Sequence, residues 1–248
     1  MKTVLVTGGV KGIGRAISLR LAQAGYNLVI NYHQDEAAAQ DTLAACLQEH
    51  PQVLLYRADV SDSAAVQRMF HAIADQFGSI DAVINNAGRN IDKPLLEMSE
   101  DDWDSVVDVN MKGVFLVSKA AAALMMSRQT AGHIINISAT TAIAGRKNGV
   151  NYCASKAGVI VMTKCMAKEL GPAIRVNCVI PGITRTAEIE ERFNLQECEQ
   201  QEVARRGIPL HRVGEPYEVA NIIHFLLSDE AAYINGQKFI VDGGEYMY

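Results

Sequence analysis

Residues 3–14 read TVLVTGGVKGIG, and this stretch decides the fold. A short run of strand-forming residues leads into a glycine-rich turn, after which the apolar pattern of a helix begins near Ile13. Backbone N–H groups and the helix dipole at such a position hold a pyrophosphate, and glycines allow its close approach. The stretch therefore predicts the first strand, turn and helix of a dinucleotide-binding fold.

Short β-branched runs alternate with helical patterns along the rest of the chain. The predicted strands are Thr3–Thr7, Leu28–Tyr32, Val53–Ala58, Ala82–Asn85, His133–Ser138, Arg175–Val179 and Lys238–Val241. The predicted helices are Ile13–Ala24, Asp35–Glu49, Ser63–Phe77, Glu100–Arg128, Tyr152–Leu170 and Pro216–Leu227. This alternation predicts an α/β chain with a doubly wound Rossmann fold, in which a seven-stranded parallel sheet carries helices on both faces. No repeat or linker marks a second domain, so residues 1–248 are expected to form a single domain.

Residues 182–211 break this rhythm with a mostly polar stretch between the sixth strand and the last helix. Long connections in compact domains tend to be lids or binding segments. We expect a substrate lid here, and the alternative is a surface helix near Ala187–Phe193.

The overall composition argues against several classes of function. The formal net charge is −5 and no basic run is present, which argues against a nucleic-acid surface. The five cysteines show no C-x-x-C spacing, so neither a disulfide framework nor a zinc site is indicated. No stretch approaches the roughly 20 apolar residues of a membrane span. We expect a cytoplasmic protein with no nucleic-acid, membrane or metal partner.

Tyr152 and Lys156 are spaced to share one face of a helix. An unperturbed phenol has a pKa of about 10, and a neighbouring cation favours its phenolate. The pair therefore predicts a site of proton transfer, whereas on its own the same spacing also fits a solvated helix face.

The motifs together resemble the short-chain dehydrogenase/reductase family, in its 3-oxoacyl-[acyl-carrier-protein] reductase branch. The matching segments are the glycine loop Thr7–Gly14, Asp59-Val60, Asn85–Gly88, Asn110, Tyr152 with Lys156, and Pro181-Gly182. They occur in the family's order and spacing along nearly the whole chain. The resemblance implies hydride transfer between a nicotinamide dinucleotide and a carbonyl group.

The resemblance also implies which residues bind the cofactor. They are Thr7, Gly8, Lys11, Gly12, Ile13, Gly14, Tyr32, Asp59, Val60, Asn86, Ala87, Gly88, Tyr152, Lys156, Pro181, Gly182, Ile183 and Thr184. Among these, Asp59 is expected near the adenine, Asn86 and Gly88 near the adenosine ribose, and Ile183 with Thr184 near the nicotinamide carboxamide.

The end of the second strand bears on the choice between the two nicotinamide cofactors. An acidic residue there bonds the ribose 2′-hydroxyl and repels a 2′-phosphate. Asn31-Tyr32-His33 brings no carboxylate before Asp35, and Lys11 offers a positive charge. NADP(H) is therefore favoured over NAD(H), and the alternative is that Lys11 is a solvated loop lysine.

Three residues are implied in catalysis and a fourth position departs from the family pattern. Tyr152 is expected to give its proton to the developing alkoxide, while Lys156 lowers the pKa of Tyr152 and bonds the nicotinamide ribose. Asn110 is expected to help hold a chain of water molecules that returns protons to the site through Lys156. The alternative is that Asn110 is a buried polar residue bonded to backbone. Ala139 stands where the family has a serine, thirteen residues before Tyr152.

Ala139 removes a hydroxyl that the family uses to hold the substrate oxygen. Strand alternation is expected to turn the neighbouring hydroxyls of Ser138 and Thr140 away from the side that Ala139 faces. The alternative is that the strand end bulges or turns and one of these hydroxyls replaces the serine. Three explanations are open: a natural departure with donors from elsewhere, an engineered Ser-to-Ala exchange, or a relative that binds cofactor without efficient turnover. The first two are favoured because the other motif positions are intact.

The expected substrate is a 3-oxoacyl thioester, with a small ketone, sugar or polyol as the alternative. A reductase that meets an acidic acyl carrier protein needs basic residues near its site, and Arg128, Arg146 and Lys147 are candidates. Small and apolar runs at Ala120–Ala123 and Ala157–Val159 suggest a subunit interface. We expect a homotetramer, and packing within one chain is the alternative.

Overall fold

Seven parallel strands form one sheet in the order β3-β2-β1-β4-β5-β6-β7. This is a computed structural model, and it describes residues 1–129 and 131–247. The strands are β1 (Thr3–Val6), β2 (Asn27–Tyr32), β3 (Val53–Arg57), β4 (Ala82–Asn85), β5 (Gly132–Ile137), β6 (Ile174–Pro181) and β7 (Lys238–Val241). The helices are α1 (Gly12–Gln23), α2 (Glu36–Glu49), α3 (Ser63–Phe77), α4 (Glu100–Val107), α5 (Gly113–Ser127), α6 (Thr141–Ala144), α7 (Val150–Leu170), α8 (Ala187–Phe193), α9 (Leu195–Arg206) and α10 (Pro216–Leu227). All seven predicted strands are present, and the predicted doubly wound Rossmann fold is confirmed.

Successive side chains of each strand enter different cores because strand residues alternate between the faces of the sheet. Val4 and Val6 pack with helices α1 and α10, whereas Leu5 packs with α3 and α5. The strands are therefore apolar on both faces, as expected for a parallel sheet covered by helices on each side.

The order of strands places a crevice where the cofactor was expected. The chain proceeds from β1 outward to β3 and then returns to β4, which pairs with β1 through Val6 and Ile84. Ligands of open α/β sheets bind beyond the carboxyl ends of the strands at such a switch point. The glycine loop after β1 and the segment after β4 therefore lie side by side.

The predicted helix Glu100–Arg128 is one continuous helical rod with an irregular centre. Between α4 and α5, residues Asp108–Lys112 form a π-helical turn, which brings in Asn110. The stretch Glu100–Ser127 is long and apolar enough to cross a membrane by length and composition. Its residues Val117, Ala121 and Met125 are buried against the sheet, as in a core helix.

Residues 182–211 contain the helix that was the alternative to a lid, and a second helix that was not predicted. The first, α8, has the bounds Ala187–Phe193. The second, α9, is rich in Glu, Gln and Arg, and only Leu195, Glu202 and Val203 are buried, so it carries little apolar periodicity. A small core of its own packs beneath this segment: Ile183, Leu195, Val203, Ile208 and Val213.

A chain of buried polar side chains ties α5 and α7 to the sheet. Asn85 Nδ2 donates to Ser118 Oγ (2.9 Å) and to Asn136 Oδ1 (2.8 Å), and Asn136 Nδ2 donates to Thr163 Oγ1 (2.9 Å). Asn136 is fully buried, so water cannot replace these bonds. The chain fixes α7, which carries Tyr152, relative to β4 and β5.

Replacing Asn136 by alanine is expected to lower the free energy of unfolding by about 2–3 kcal/mol, because it strands buried polar groups and leaves a cavity. Urea denaturation followed by circular dichroism measures the change. Gln40→Ala, on the exposed face of α2, is the control and should alter stability by less than about 0.5 kcal/mol. Equal effects of the two substitutions would contradict the role given to the buried chain.

Candidate active site

A cavity of about 1240 Å³ opens beyond the carboxyl ends of the central strands. Fifteen of the predicted site residues line it: Gly8, Lys11, Gly12, Ile13, Gly14, Asn86, Ala87, Gly88, Ala139, Tyr152, Lys156, Pro181, Gly182, Ile183 and Thr184. The fold thus brings the glycine loop, the segment after β4 and the Tyr152 helix to one place. Five predicted residues lie outside the lining: Thr7, Tyr32, Asp59, Val60 and Asn110.

The glycine loop leaves the start of α1 open to a ligand. Lys11 is the N-cap residue but makes no side-chain cap, and the first turn contains no acidic residue. Gly12 has a φ of +49°, and a Cβ on Gly14 would overlap the carbonyl oxygen of Gly8. Uncapped N–H groups at a helix start that begins with glycine suit a pyrophosphate.

Thr7 and Asn86 hold the loop against the segment after β4. The Thr7 hydroxyl accepts from the backbone N–H groups of Asn86 and Ala87, each at 3.0 Å. Asn86 Nδ2 donates to the carbonyl oxygens of Thr7 and Gly8, also at 3.0 Å. The side chains of both predicted cofactor residues are thus engaged in shaping the cavity wall.

Tyr32, Asp59 and Val60 have other partners in the structure. The Tyr32 hydroxyl donates to Glu36 (2.5 Å), and Asp59 accepts from both the backbone and the hydroxyl of Ser61. Val60 is buried against Gly113 at the start of α5. Their expected contacts with a cofactor stay predictions.

Asn110 is bonded on every side by protein. Its Oδ1 accepts from the backbone of Arg89 (2.7 Å), and its Nδ2 donates to the Arg89 carbonyl (2.9 Å) and to Ser155 Oγ (3.1 Å). The π-helical turn places it there, and such turns are frequent at functional sites. Asn110 thereby fixes the backbone just after Gly88. This agrees with the alternative prediction, in which Asn110 is a buried polar residue bonded to backbone.

Lys156 is a buried cation in the cavity wall. Its Nζ donates to the carbonyl of Ile137 (2.9 Å) and lies 6.0 Å from the centre of the Tyr152 ring. Burial lowers the pKa of Lys156 to about 8. The hydroxyl of Ser138 donates to the Lys156 carbonyl (2.8 Å), so Ser138 is occupied with the backbone of α7.

Tyr152 lines the cavity, and its environment differs from the sequence-based expectation. A lowered phenol pKa was predicted from Lys156. Instead, burial raises the pKa of Tyr152 to about 12, and the guanidinium of Arg146 opposes this shift. The expected direction was wrong because the loss of solvent around the phenol outweighs the nearby cations.

The expected serine position after β5 is occupied by Ala139, which lines the cavity with a methyl group. Ser138, Thr140 and Thr141 line the cavity as well. The expectation that alternation turns Ser138 and Thr140 away from this side was wrong, because β5 ends at Ile137 and the chain turns there. The hydroxyl of Thr141 is buried and has no hydrogen-bond partner among residues 1–129 and 131–247. Thr141 begins the short helix α6, which the sequence pattern did not reveal.

Basic side chains surround the cavity, although the whole chain is acidic. The expected Arg146 and Lys147 line it, whereas Arg128 does not. Asp92 and Arg192 were missed: Arg192 lies on α8 and forms an ion pair with Asp92. No local motif marks either residue, because they meet only when α8 folds over the cavity.

Known proteins match this chain over its whole length. A family model described as enoyl-(acyl carrier protein) reductase matches residues 8–245. A 3-oxoacyl-[acyl-carrier-protein] reductase of a Synechocystis strain is 41% identical over 249 residues, covering 100% of this chain and 98% of that protein. The chain belongs to the short-chain dehydrogenase/reductase family. The resemblance seen in the motifs is confirmed.

Other short-chain dehydrogenases/reductases match equally completely. Glucose 1-dehydrogenase 2 of Bacillus subtilis is 36% identical, covering 100% of this chain and 95% of that protein. The crystal structure of a glucose/ribitol dehydrogenase from Brucella melitensis has a TM-score of 0.91 at 30% identity, covering 100% of this chain and 97% of that one. The protein is therefore an oxidoreductase that acts on a carbonyl or hydroxyl group. The open start of α1 and the glycines around it fit the nicotinamide dinucleotide of this family.

Replacing Lys156 by methionine is expected to stabilise the fold. Below about pH 8 the native state carries a buried charge, and this penalty fades as pH rises toward the ordinary lysine pKa of 10.5. Lys156→Met should add on the order of 1–3 kcal/mol near pH 7, after allowing for the lost bond to Ile137.

Urea denaturation at about pH 7 and about pH 9.5 measures this effect. The wild type should gain stability relative to Lys156→Met between the two values, since other groups with shifted pKa values, such as Cys46 and Tyr152, act on both proteins. The exposed Lys112→Met is the control and should keep the pH dependence of the wild type. A stability difference between the wild type and Lys156→Met that does not change over this interval would contradict the lowered pKa.

Proposed function

We propose that this protein is an NADP(H)-dependent reductase of 3-oxoacyl thioesters. The observation that carries the proposal is the meeting of Tyr152, Lys156 and the glycine loop in one cavity. The named activity of relatives that are about 40% identical over the whole chain supports the choice of substrate.

The chain's own residues would position and protonate the substrate. The bound nicotinamide supplies a hydride to the carbonyl carbon. Tyr152 gives its hydroxyl proton to the oxygen as negative charge develops there, so the charge is neutralised in the transition state. Lys156, with a pKa near neutrality, is suited to return a proton to the phenolate from water.

Asn110 is proposed to support this proton path indirectly. A Cβ built on Gly88 would lie 3.5 Å from both Asn110 Oδ1 and Lys156 Nζ, so the two polar groups face the same small space. Asn110 keeps that space open by fixing the Arg89 backbone. The water chain itself stays a prediction.

Ala139 sets a limit on the rate that this site can reach. Loss of one preorganised donor costs on the order of 10²–10³ in rate. The proposed reductase is therefore active but slow in its present sequence, unless another donor takes the place of the serine.

The basic rim of the cavity supports a carrier-bound substrate. Arg146 and Lys147 line the cavity near Tyr152, and an acyl carrier protein presents an acidic surface to such residues. A sugar or polyol is the second candidate substrate, because two similar proteins are named glucose or glucose/ribitol dehydrogenases.

The choice of NADP(H) rests on the surroundings of Lys11. Lys11 lines the cavity beside the start of α1. Tyr32 at the end of β2 is bonded to Glu36, which holds that carboxylate in place. Asp35 forms an ion pair with Lys11, so a 2′-phosphate would compete with Asp35 for the lysine.

Three further properties are part of the proposal. Residues 182–211 act as the substrate lid, supported by the ion pair of Arg192 on α8 with Asp92 in the segment after β4. The protein is a homotetramer, supported by the exposed apolar side chains of Trp103, Phe115 and Val161 on α4, α5 and α7. It acts in the cytoplasm, where carrier-bound acyl chains and NADPH meet.

Turnover of a 3-oxoacyl thioester, followed by the absorbance of the reduced nicotinamide, tests the function. The wild type should turn over slowly, Ala139→Ser should raise kcat by about 100–1000-fold, and Tyr152→Phe should abolish turnover. Oxidation of glucose and of ribitol is assayed in parallel and tests the second candidate substrate.

Ala144→Ser is the matched control, since Ala144 ends the short helix α6 that follows Ala139 and lies outside the cavity lining. It should leave kcat within about twofold of the wild type. No thioester turnover by either the wild type or Ala139→Ser, with tight cofactor binding, would reject the proposed substrate. Turnover of a sugar or polyol alone would replace it with the second candidate.

Replacing Lys11 by alanine is expected to weaken NADPH binding by about tenfold, or about 1.4 kcal/mol, and to leave NADH binding almost unchanged. The reason is that Asp35 then faces the 2′-phosphate without a cation. Asp35→Asn should act in the opposite direction. Fluorescence titration of both cofactors measures the ratio, with Lys112→Ala as the control, and tighter NADH than NADPH binding by the wild type would contradict the assignment.

A further inference from the structure

Arg146 is held over the ring of Tyr152 by contacts from another part of the chain. Its guanidinium carbon lies 4.8 Å from the centre of the ring. Its Nη2 donates to Asn90 Oδ1 (2.5 Å) and Asp92 Oδ1 (2.6 Å), both in the segment after β4. The side chain is only 21% exposed, so its charge is poorly screened by water.

Asp92 neutralises Arg146 only in part, because it serves two cations. The same carboxylate forms an ion pair with Arg192 on α8. One negative charge between two guanidinium groups leaves a net positive charge beside Tyr152. A guanidinium also keeps its proton at any pH at which the protein is folded.

Arg146 lies closer to the Tyr152 ring than the lysine of the Tyr-x-x-x-Lys pattern does. Lys156 Nζ is 6.0 Å from the ring centre and donates to the Ile137 carbonyl. A cation at the face of an aromatic ring is attracted to it, and the attraction grows when the ring carries a phenolate.

Other charged groups also act on Tyr152. Glu188 on α8 and Cys153 on α7 raise the pKa of the phenol, as burial does, and Arg146 lowers it. Asp92 adds negative charge on the side of Arg146. Arg146 therefore opposes the groups that disfavour the phenolate left after proton transfer.

We infer that Arg146 is a positioning residue for Tyr152, which fixes the phenol by stacking on its ring and stabilises the phenolate left after proton transfer. In that step the Tyr152 O–H bond breaks, an O–H bond forms on the substrate oxygen, and the guanidinium keeps all its protons. The inference rests on the proposed role of Tyr152 as proton donor. It gives the site a second cation where Ala139 provides no hydroxyl.

The test is a titration of Tyr152 that needs no substrate. A ring-fluorinated tyrosine, which ionises at lower pH, is placed at residue 152 by suppression of a nonsense codon, and its fluorine NMR shift reports ionisation. Arg146→Gln should raise the pKa by about one unit, a roughly tenfold loss of phenolate at fixed pH. Lys147→Gln, which removes the next cation in the loop, should move it by less than about 0.3 units.

Asp92→Asn supplies a change of opposite sign. It removes the carboxylate that partly neutralises Arg146, so the pKa of the residue-152 phenol should fall. Arg146→Lys keeps the charge without the planar stacking group and should give a value between wild type and Arg146→Gln. These two variants keep the inference testable if Arg146→Gln does not fold.

Equal pKa values in the wild type, Arg146→Gln and Asp92→Asn, with unchanged circular dichroism, would overturn the inference. A kinetic arm separates it from the proposed function. If 3-oxoacyl thioesters are not turned over but the pKa moves as expected, the substrate is wrong and the role of Arg146 stands. If turnover occurs and the pKa does not move, only the role of Arg146 falls.

Discussion

The close contact between the glycine loop and the segment after β4 is the constraint on which the rest of the site depends. The two backbones meet because no side chain stands between them, since a Cβ on Gly8 would come within 3.0 Å of the Ala87 Cα. Asn86 then reaches both Thr7 and Gly8 with one amide. This contact leaves the first N–H groups of α1 facing the cavity and sets where a cofactor's reactive end can lie relative to Tyr152.

Burial of the proton-transfer pair has opposite effects on the pKa values of its two members. Lys156 is almost completely buried and donates to the Ile137 carbonyl, and burial lowers its pKa to about 8. The phenol of Tyr152 shifts the other way, to about 12. The same desolvation therefore moves the pKa of Lys156 toward neutral pH and the pKa of Tyr152 away from it. When cofactor and substrate enter the site, neighbouring charges still have to lower the raised pKa of Tyr152.

Much of this could be predicted from the sequence, because the decisive features are local. Strand alternation, the glycine loop and the Tyr152–Lys156 spacing each depend on residues close together in the chain. The direction of the Tyr152 pKa could not be predicted, since it depends on burial by segments far away. Asp92 and Arg192 were missed for the same reason, and α9 was missed because its polar surface gives no apolar period. Ala139 was visible at once, yet which side chains lie around it required the fold.

Gly12 is constrained from two directions. It needs a positive φ for the turn, and a Cβ there would come within 2.9 Å of Thr186, the N-cap of α8. The glycine loop and the start of α8 therefore contact each other because residue 12 has no side chain. A homologue with a larger residue at position 12 would also need a different conformation at the start of α8. The cofactor end and the substrate end of this protein are therefore expected to diversify together.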